Sequence, residues 1–428
     1  MPLYIKALDS LSKTGGHEGL LPSGIDVTMR AVQRLAAQGE IVRAWKVLQA
    51  AWPTTKLRVN AIIGILIGFY TLAPPGLLFG LFDIYIVSPI DKFLETKWIG
   101  RDFTVVKKLG GGNFGTVFQA TVTDFGAEKL GAKGGNQLNR DVVLKRILTD
   151  EDELRAKFAK KTLFGTSLVG GTVARGNFET GKVESYFNER VRRYGFSGSF
   201  ASYLGNFVGS IRMREDIDGG KESEAIVLSS GQWLVWQYQG GKTVDDYLNP
   251  EFPYNMEVPV LGKENSQMER GRRETEVVKN ILWPVLAAVR DLHRVGIVHR
   301  DIKPANLVVT PGSNPSVKVI DLGAAVDLRT GVNFNPETGL LDPKYAPPEQ
   351  LVVPQEVPRA PPRFVALLGA PALWQITSPD RFDTYSVGVM LLQMTVPNLR
   401  PNKSLDKFKN QLQDVGEDLQ VWRNEYGK

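Results

Sequence analysis

His299-Arg300-Asp301-Ile302-Lys303-Pro304-Ala305-Asn306 gathers a carboxylate, an ammonium group and an amide around one proline. It fits H-R-D-x-K-P-x-N at every fixed position, a match too long to be accidental. Such groups at such spacing can hold a hydroxyl, neutralise an anion and ligate a hard cation. Downstream of Asp301, the run VKVIDLGAAVDL reads as an apolar strand ending in Asp321-Leu322-Gly323. Far upstream, Gly110-Gly111-Gly112-Asn113-Phe114-Gly115-Thr116-Val117 fits G-x-G-x-x-G-x-V. Glycines there let backbone N–H groups approach phosphate oxygens without a side chain in the way. The same glycines suit a dinucleotide loop, but that loop leads into a helix. Here Thr116–Val122 stays β-branched and apolar, so a second strand and a hairpin are expected. Val142-Val143-Leu144-Lys145 then puts a lysine near the end of an apolar strand.

In that order these motifs resemble the eukaryotic protein kinase family across Arg101–Lys428. The resemblance implies an α+β, bilobal fold with a β-rich small lobe and a helical large lobe, using ATP and Mg2+. It also implies the roles. Asp301 would orient a substrate hydroxyl and accept its proton, with Lys303 facing the transferring phosphoryl group. Asn306 and Asp321 would hold magnesium. Leu109, Gly110, Gly111, Gly112, Asn113, Phe114, Gly115, Val117 and Lys145 would bind ATP. Lys145 needs a glutamate on the next helix, and Glu189 in FNERV is preferred to Glu184 in KVESY for its apolar spacing. A second triplet, Asp124-Phe125-Gly126, imitates the metal motif but precedes even Lys145, so it is read as a turn in the small lobe.

Lys303 resembles serine/threonine rather than tyrosine kinases. Arg300 beside Asp301 suggests an activation segment organised by an anionic group, with Thr330 and Thr338 as candidate phosphosites. Asp342 stands where related kinases carry threonine, and is expected to contact Lys303 so that two carboxylates do not face each other unscreened. Trp236 precedes the hinge Gln237-Tyr238 and should close the nucleotide pocket at its back. Pro347-Pro348-Glu349 stands for A-P-E, and Asp383-x-x-Ser386-x-Gly388 opens the central large-lobe helix. The stretches KWIGRDFTVVKKLGGGNFGTVF, LLDPKYAPPEQ and ALWQITSPDRFDTYSVGVMLLQM resemble the thylakoid kinases of chloroplasts. That resemblance implies light-harvesting or photosystem II proteins as substrates, one span before the kinase domain, and a kinase domain facing the stroma. The state-transition branch carries a lumenal cysteine pair. This chain has no cysteine, which favours the photosystem II core-protein kinase branch.

Lys and Arg total 52 against 46 Asp and Glu, scattered rather than clustered, so no nucleic-acid surface is expected. With three histidines and no cysteine, a His- or Cys-based metal site is excluded as a working idea. Residues 1–57 read as an arm with amphipathic helices. VNAIIGILIGFYTLAPPGLLFGLF, residues 59–82, has no charge and is long enough to cross a bilayer, so residues 58–87 are expected to be transmembrane and 88–100 a connector. After Gly388 there is room for roughly two further helices. The large lobe, taken as 101–428 with the small lobe, is therefore expected to be incomplete, with Glu349 short of its arginine unless Arg423 substitutes.

Overall fold

The computed structural model describes residues 64, 67–68, 76–112, 115–130, 140–147, 177–213, 226–262, 269–312, 315–334, 342–348, 352 and 362–426. Residues 1–57, most of the 59–82 run, Thr338 and Glu349 lie outside the described residues, and with them the expected arm helices and the Glu349–Arg423 pairing. No helix among the described residues is long and apolar enough to cross a membrane. The described end of the apolar run forms α1 (Leu77–Phe82), continued by a π-helical turn, Asp83–Val87, into α2 (Ser88–Leu94). It rests on protein: Leu77 and Gly80 are buried, and a Cβ on Gly80 would fall 2.6 Å from the Leu367 side chain.

The small lobe is a closed barrel in the order β1-β2-β3-β5-β4. β1 (Phe103–Gly112) and β2 (Gly115–Val122) form the expected hairpin, with Gly112 opposite Gly115 at its tip. β3 (Asp141–Ile147) runs antiparallel to β2, and side-chain alternation sends Val142 and Leu144 into the core and Lys145 to the other face. After β3 comes α3 (Asn177–Arg193), then β4 (Tyr203–Met213) and β5 (Ile226–Gln237). Thr104 and Val105 pair in parallel with Arg212 and Met213, which closes the barrel. Phe103, Phe207 and Trp233 stack through its interior.

The large lobe is built on α4 (Arg270–Arg294). Val277, Ile281, Val285, Ala288 and Leu292 recur every three or four residues and are buried in one stripe. Each buried Val, Ile or Leu contributes roughly 1.5–3 kcal/mol, enough to fix the helix despite Pro284 within it. His293 and Arg294 complement the negative end of the helix dipole, and Gly296 at φ 78° ends it. The short strands β6 (Ile297–Val298), β7 (Leu307–Thr310), β8 (Ser316–Val319) and β9 (Val326–Asp327) pair as β6-β9 and β7-β8. They carry the catalytic stretch and Asp321 between them. α5 (Arg363–Thr377), α6 (Asp380–Thr395), α7 (Asn402–Asp414) and α8 (Leu419–Tyr426) complete the described lobe.

Candidate active site

Lys145 reaches Glu184 of α3, with Nζ 2.8 Å from Oε2 and 3.0 Å from Oε1. Asp321 Oδ1 lies 3.5 Å from the same nitrogen. Burial opposes the charge on Lys145, but Asp321 and Glu184 outweigh it and hold the ammonium well above its usual pKa. The expected partner, Glu189, is corrected to Glu184. Five residues along an α-helix turn the side chain about 140°, so the two glutamates cannot face one lysine. Glu189 instead accepts a hydrogen bond from Ser185, 3.0 Å away. Apolar spacing misled because Val183, Phe187 and Val191 mark the face on the large-lobe core, whereas the cleft is on the adjoining face.

The catalytic stretch is held from beneath. Asp383 on α6 is fully buried and accepts the backbone N–H groups of His299 (2.9 Å) and Arg300 (2.8 Å). His293 Nε2 sits 2.8 Å from the same carboxylate. Burial works against ionising Asp383, but the bond from His293 and the nearby amides overcome it and keep the carboxyl below its usual range. Sequence reading placed Asp383 at the start of the central helix and missed this supporting role. Arg300 (φ 68°) and Asp321 (φ 61°) both sit in the left-handed region, at a cost on the order of 1–3 kcal/mol each that these anchors offset.

Asn306 Nδ2 donates to the carbonyl and to Oδ2 of Asp301, both at 2.8 Å. This fixes the amide so that its oxygen is left over as a donor to a cation. Lys303 lies between Asp301 (3.0 Å) and Asp342 (3.6 Å), the arrangement expected for Asp342. A cavity of about 190 Å3 opens here, lined in part by Asp245, Ala305 and Tyr345. Asp321 Oδ1 accepts the Gly323 amide at 3.2 Å. Burial would raise its pKa, yet Lys145, that amide and His299 hold it below the usual carboxylate range. Asn306 and Asp321 thus offer oxygen donors of the kind a hard cation takes. No group of three or more His, Cys, Asp or Glu among the described residues could hold a metal alone. A cation bound here would need further oxygens, which nucleotide phosphates supply.

Of the residues expected to bind ATP in the glycine hairpin, Leu109 is exposed and Val117 half-buried; Asn113 and Phe114 lie outside the described residues. Trp236 packs edge-on against Tyr203 and donates its indole N–H to Asn188 Oδ1 on α3, 3.0 Å away. That bond ties the strand before the hinge to the helix that carries Glu184. Asp124 opens a single helical turn capped by Thr123, and its exposed carboxylate meets Arg140 at the surface. The first triplet is indeed a turn remote from Lys145.

The activation segment differs from expectation. Thr330 is 2% exposed, donates its hydroxyl to Asp327 Oδ2 at 2.7 Å, and meets the Tyr186 hydroxyl at 2.9 Å. A buried, doubly bonded hydroxyl is not open to modification in this conformation, so Thr330 is corrected as a phosphosite. The guanidinium of Arg300 donates to the carbonyls of Ala324 (2.6 Å) and Asn333 (3.4 Å), both in the segment that follows Asp321.

Residues 232–422 match the protein kinase domain family. Over 364 residues the chain is 37% identical to the chloroplastic serine/threonine-protein kinase STN8 of Arabidopsis thaliana, covering 84% of this chain and 68% of that one. This chain belongs to the serine/threonine protein kinase family. It is also 35% identical over 355 residues to the chloroplastic serine/threonine-protein kinase STN7 of the same plant, covering 83% of this chain but only 53% of that relative. A crystal structure of a Stt7 homolog from Micromonas algae, soaked with ATP, superposes with a TM-score of 0.55. It is 29% identical, over 77% of this kinase and 80% of that chain. The kinase is therefore an ATP-dependent enzyme acting on protein serine or threonine.

Proposed function

We propose that this kinase is anchored in the thylakoid membrane of chloroplasts and phosphorylates light-harvesting or photosystem II proteins. The observation that carries the catalytic part is a complete constellation: Lys145 bound to Glu184 beside Asp321, facing Asp301 with Lys303 and Asn306. Lys145 would hold the ATP phosphates and the hairpin glycines would cover them. Asp301 would orient a serine or threonine hydroxyl and accept its proton, while Lys303 steadies the charge that builds on the transferring group. Asn306 and Asp321 would hold magnesium, which when bound neutralises phosphate charge. Asp342, beside Lys303, would do by charge what a threonine hydroxyl does elsewhere.

The membrane reading rests on the uncharged stretch ahead of Leu77, since Leu77 and Gly80 pack on the kinase itself, and on likeness to the two chloroplastic kinases. The stromal orientation rests on the need for ATP. A scaffold that binds nucleotide without phosphoryl transfer is the competing reading, and the constellation above argues against it. Incubating the full chain with thylakoid membranes and radiolabelled ATP should label membrane proteins with wild type but not with Asp301→Asn. Equal labelling by both would reject the catalytic assignment. Labelling confined to proteins outside the antenna and photosystem II would reject the substrate class. Protease added to intact membranes should digest the kinase domain, and full protection would reject the orientation.

A further inference from the structure

The faces of α3 are unequally explained by catalysis. One presents Glu184 to Lys145, another packs Val183, Phe187 and Val191 on the large-lobe core, and a third carries Arg190 and Arg193. Arg190 is buried and the Arg193 side chain is only 5% exposed, surroundings in which a charge must be paired to be tolerated. Their partner is Asp83, itself buried in the π-helical turn between α1 and α2. Asp83 Oδ2 lies 3.3 Å from Arg190 and Oδ1 accepts Arg193 Nε at 3.2 Å. One helical segment later, Asp91 takes Arg192 at 3.0 Å and Arg193 at 3.5 Å.

Two further observations make this more than packing. Arg190 also pairs with Asp327 on β9, and Tyr186 donates to that same carboxylate at 2.7 Å. So α3 is gripped by one carboxylate from the segment preceding the kinase domain and another from the segment following Asp321. In addition, the N-terminal helix cannot slide freely: a side chain at Gly80 would strike Leu367 of α5 and come within 3.1 Å of Arg329. Glu184 and Arg190 are six residues apart, about 9 Å along the axis and on different faces. Turning α3 far enough to take Glu184 from Lys145 would therefore pull Arg190 and Arg193 off Asp83 and strip that buried carboxylate of both cations.

We propose that Asp83 is a positioning residue for phosphoryl transfer: through Arg190 and Arg193 it holds α3 in the rotation that presents Glu184 to Lys145. The segment ahead of the kinase domain thereby acts on the ATP site without touching it.

A double-mutant cycle in the full chain separates this from a merely structural role. Asp83→Ala and the isosteric Asp83→Asn are made alone and in a Glu184→Gln background, with ATP-dependent phosphorylation of dephosphorylated casein as the readout. Melting curves set a temperature at which every variant is folded; if Asp83→Ala does not fold, Asp83→Asn carries the cycle. Asp83→Asn should lower kcat/KM for ATP roughly ten-fold or more, because a displacement of about 1 Å at a reacting group costs that much or more. In the Glu184→Gln background the same change should cost less than about two-fold, since the group it positions is already gone. Arg193→Ala should behave in parallel. Losses that multiply across the two backgrounds, or an unchanged kcat/KM with only a lower melting temperature, would overturn the proposal.

Discussion

Two triplets in this chain carry aspartate, a hydrophobic residue and glycine, and the fold gives them opposite fates. Asp124-Phe125-Gly126 begins one turn of helix at the edge of the small lobe, where solvent screens the carboxylate and Arg140 touches it from outside. Asp321-Leu322-Gly323 follows β8; Leu322 is buried, the Asp321 backbone is left-handed, and the carboxylate is aimed at Lys145. Side-chain chemistry is the same in both. What differs is the neighbour: an ammonium brought in from 176 residues away turns a surface acid into a site. A motif therefore carries function only through the strand that ends beneath it.

The contrast can be broken most decisively by deleting each carboxylate. Asp321→Ala should lower kcat by about 10³-fold, the scale of losing a preorganised charge at a reacting centre. Asp124→Ala should leave kcat within about two-fold and stability within about 0.5 kcal/mol, as an exposed ion pair contributes little. Loss of rate at Asp124 with retention at Asp321 would reverse the assignment. Next in size, Asp301→Asn should cost on the order of 10²–10³ in kcat, the lower part of the roughly 10²–10⁴ range for a general base, with its melting temperature close to wild type.

The two glutamates of α3 sharpen the same lesson on a smaller scale. Glu184→Gln should reduce kcat/KM for ATP by at least about ten-fold, whereas Glu189→Gln should stay within about three-fold. Steady-state kinetics on both variants decides between them, and a larger loss at Glu189 would restore the pairing the sequence suggested.

Smallest in rate, but distinct in pH, is the effect of Asp383. Its carboxyl is held below its unfolded value, so its ionised form stabilises the native state. That contribution is whole above the unfolded pKa of about 3.9 and is lost as pH falls through the lower, folded value. Asp383→Asn should cost about 1.5–3 kcal/mol at pH 7 through weaker bonds to the His299 and Arg300 amides. It should also flatten the acid limb of stability below about pH 4. Denaturant unfolding at pH 7, 5 and 3 measures both, and an unchanged acid limb would remove Asp383 from this role.

Much of the catalytic architecture was legible because its signals are local. The hairpin follows from glycines flanked by β-branched residues, Lys145 from its place at the end of an apolar run after the glycine loop in the kinase pattern, and the catalytic stretch from an eight-residue pattern. Asp342 beside Lys303 was legible from its place in the kinase pattern together with charge. Glu184 was not, because hydrophobic periodicity finds the face buried in apolar core and a cleft-facing carboxylate lies off that face. Thr330 failed for a related reason: position in the activation segment suggests exposure, whereas Asp327 close by in sequence and Tyr186, 144 residues away, take its hydroxyl. Asp83 was read as part of a lipid-crossing stretch, and nothing near it announces partners more than a hundred residues away on α3.

The indole of Trp236 has a practical consequence for tracing substrates. It ties β5 to α3 just before the hinge, where the sequence leads us to expect the back of the nucleotide pocket, so Trp236→Gly should leave a hole able to take an ATP analogue carrying a bulky group on its adenine nitrogen. Kinases with an unaltered plug would refuse that analogue, and in a membrane holding several of them only the engineered enzyme would transfer its label. The change removes the bond to Asn188 as well as the ring, and large-to-small replacement of a buried aromatic costs about 3–5 kcal/mol, less where the ring is only partly covered. A second substitution that tightens α3 against β5 would then be needed, and the tagged proteins would name the substrates directly.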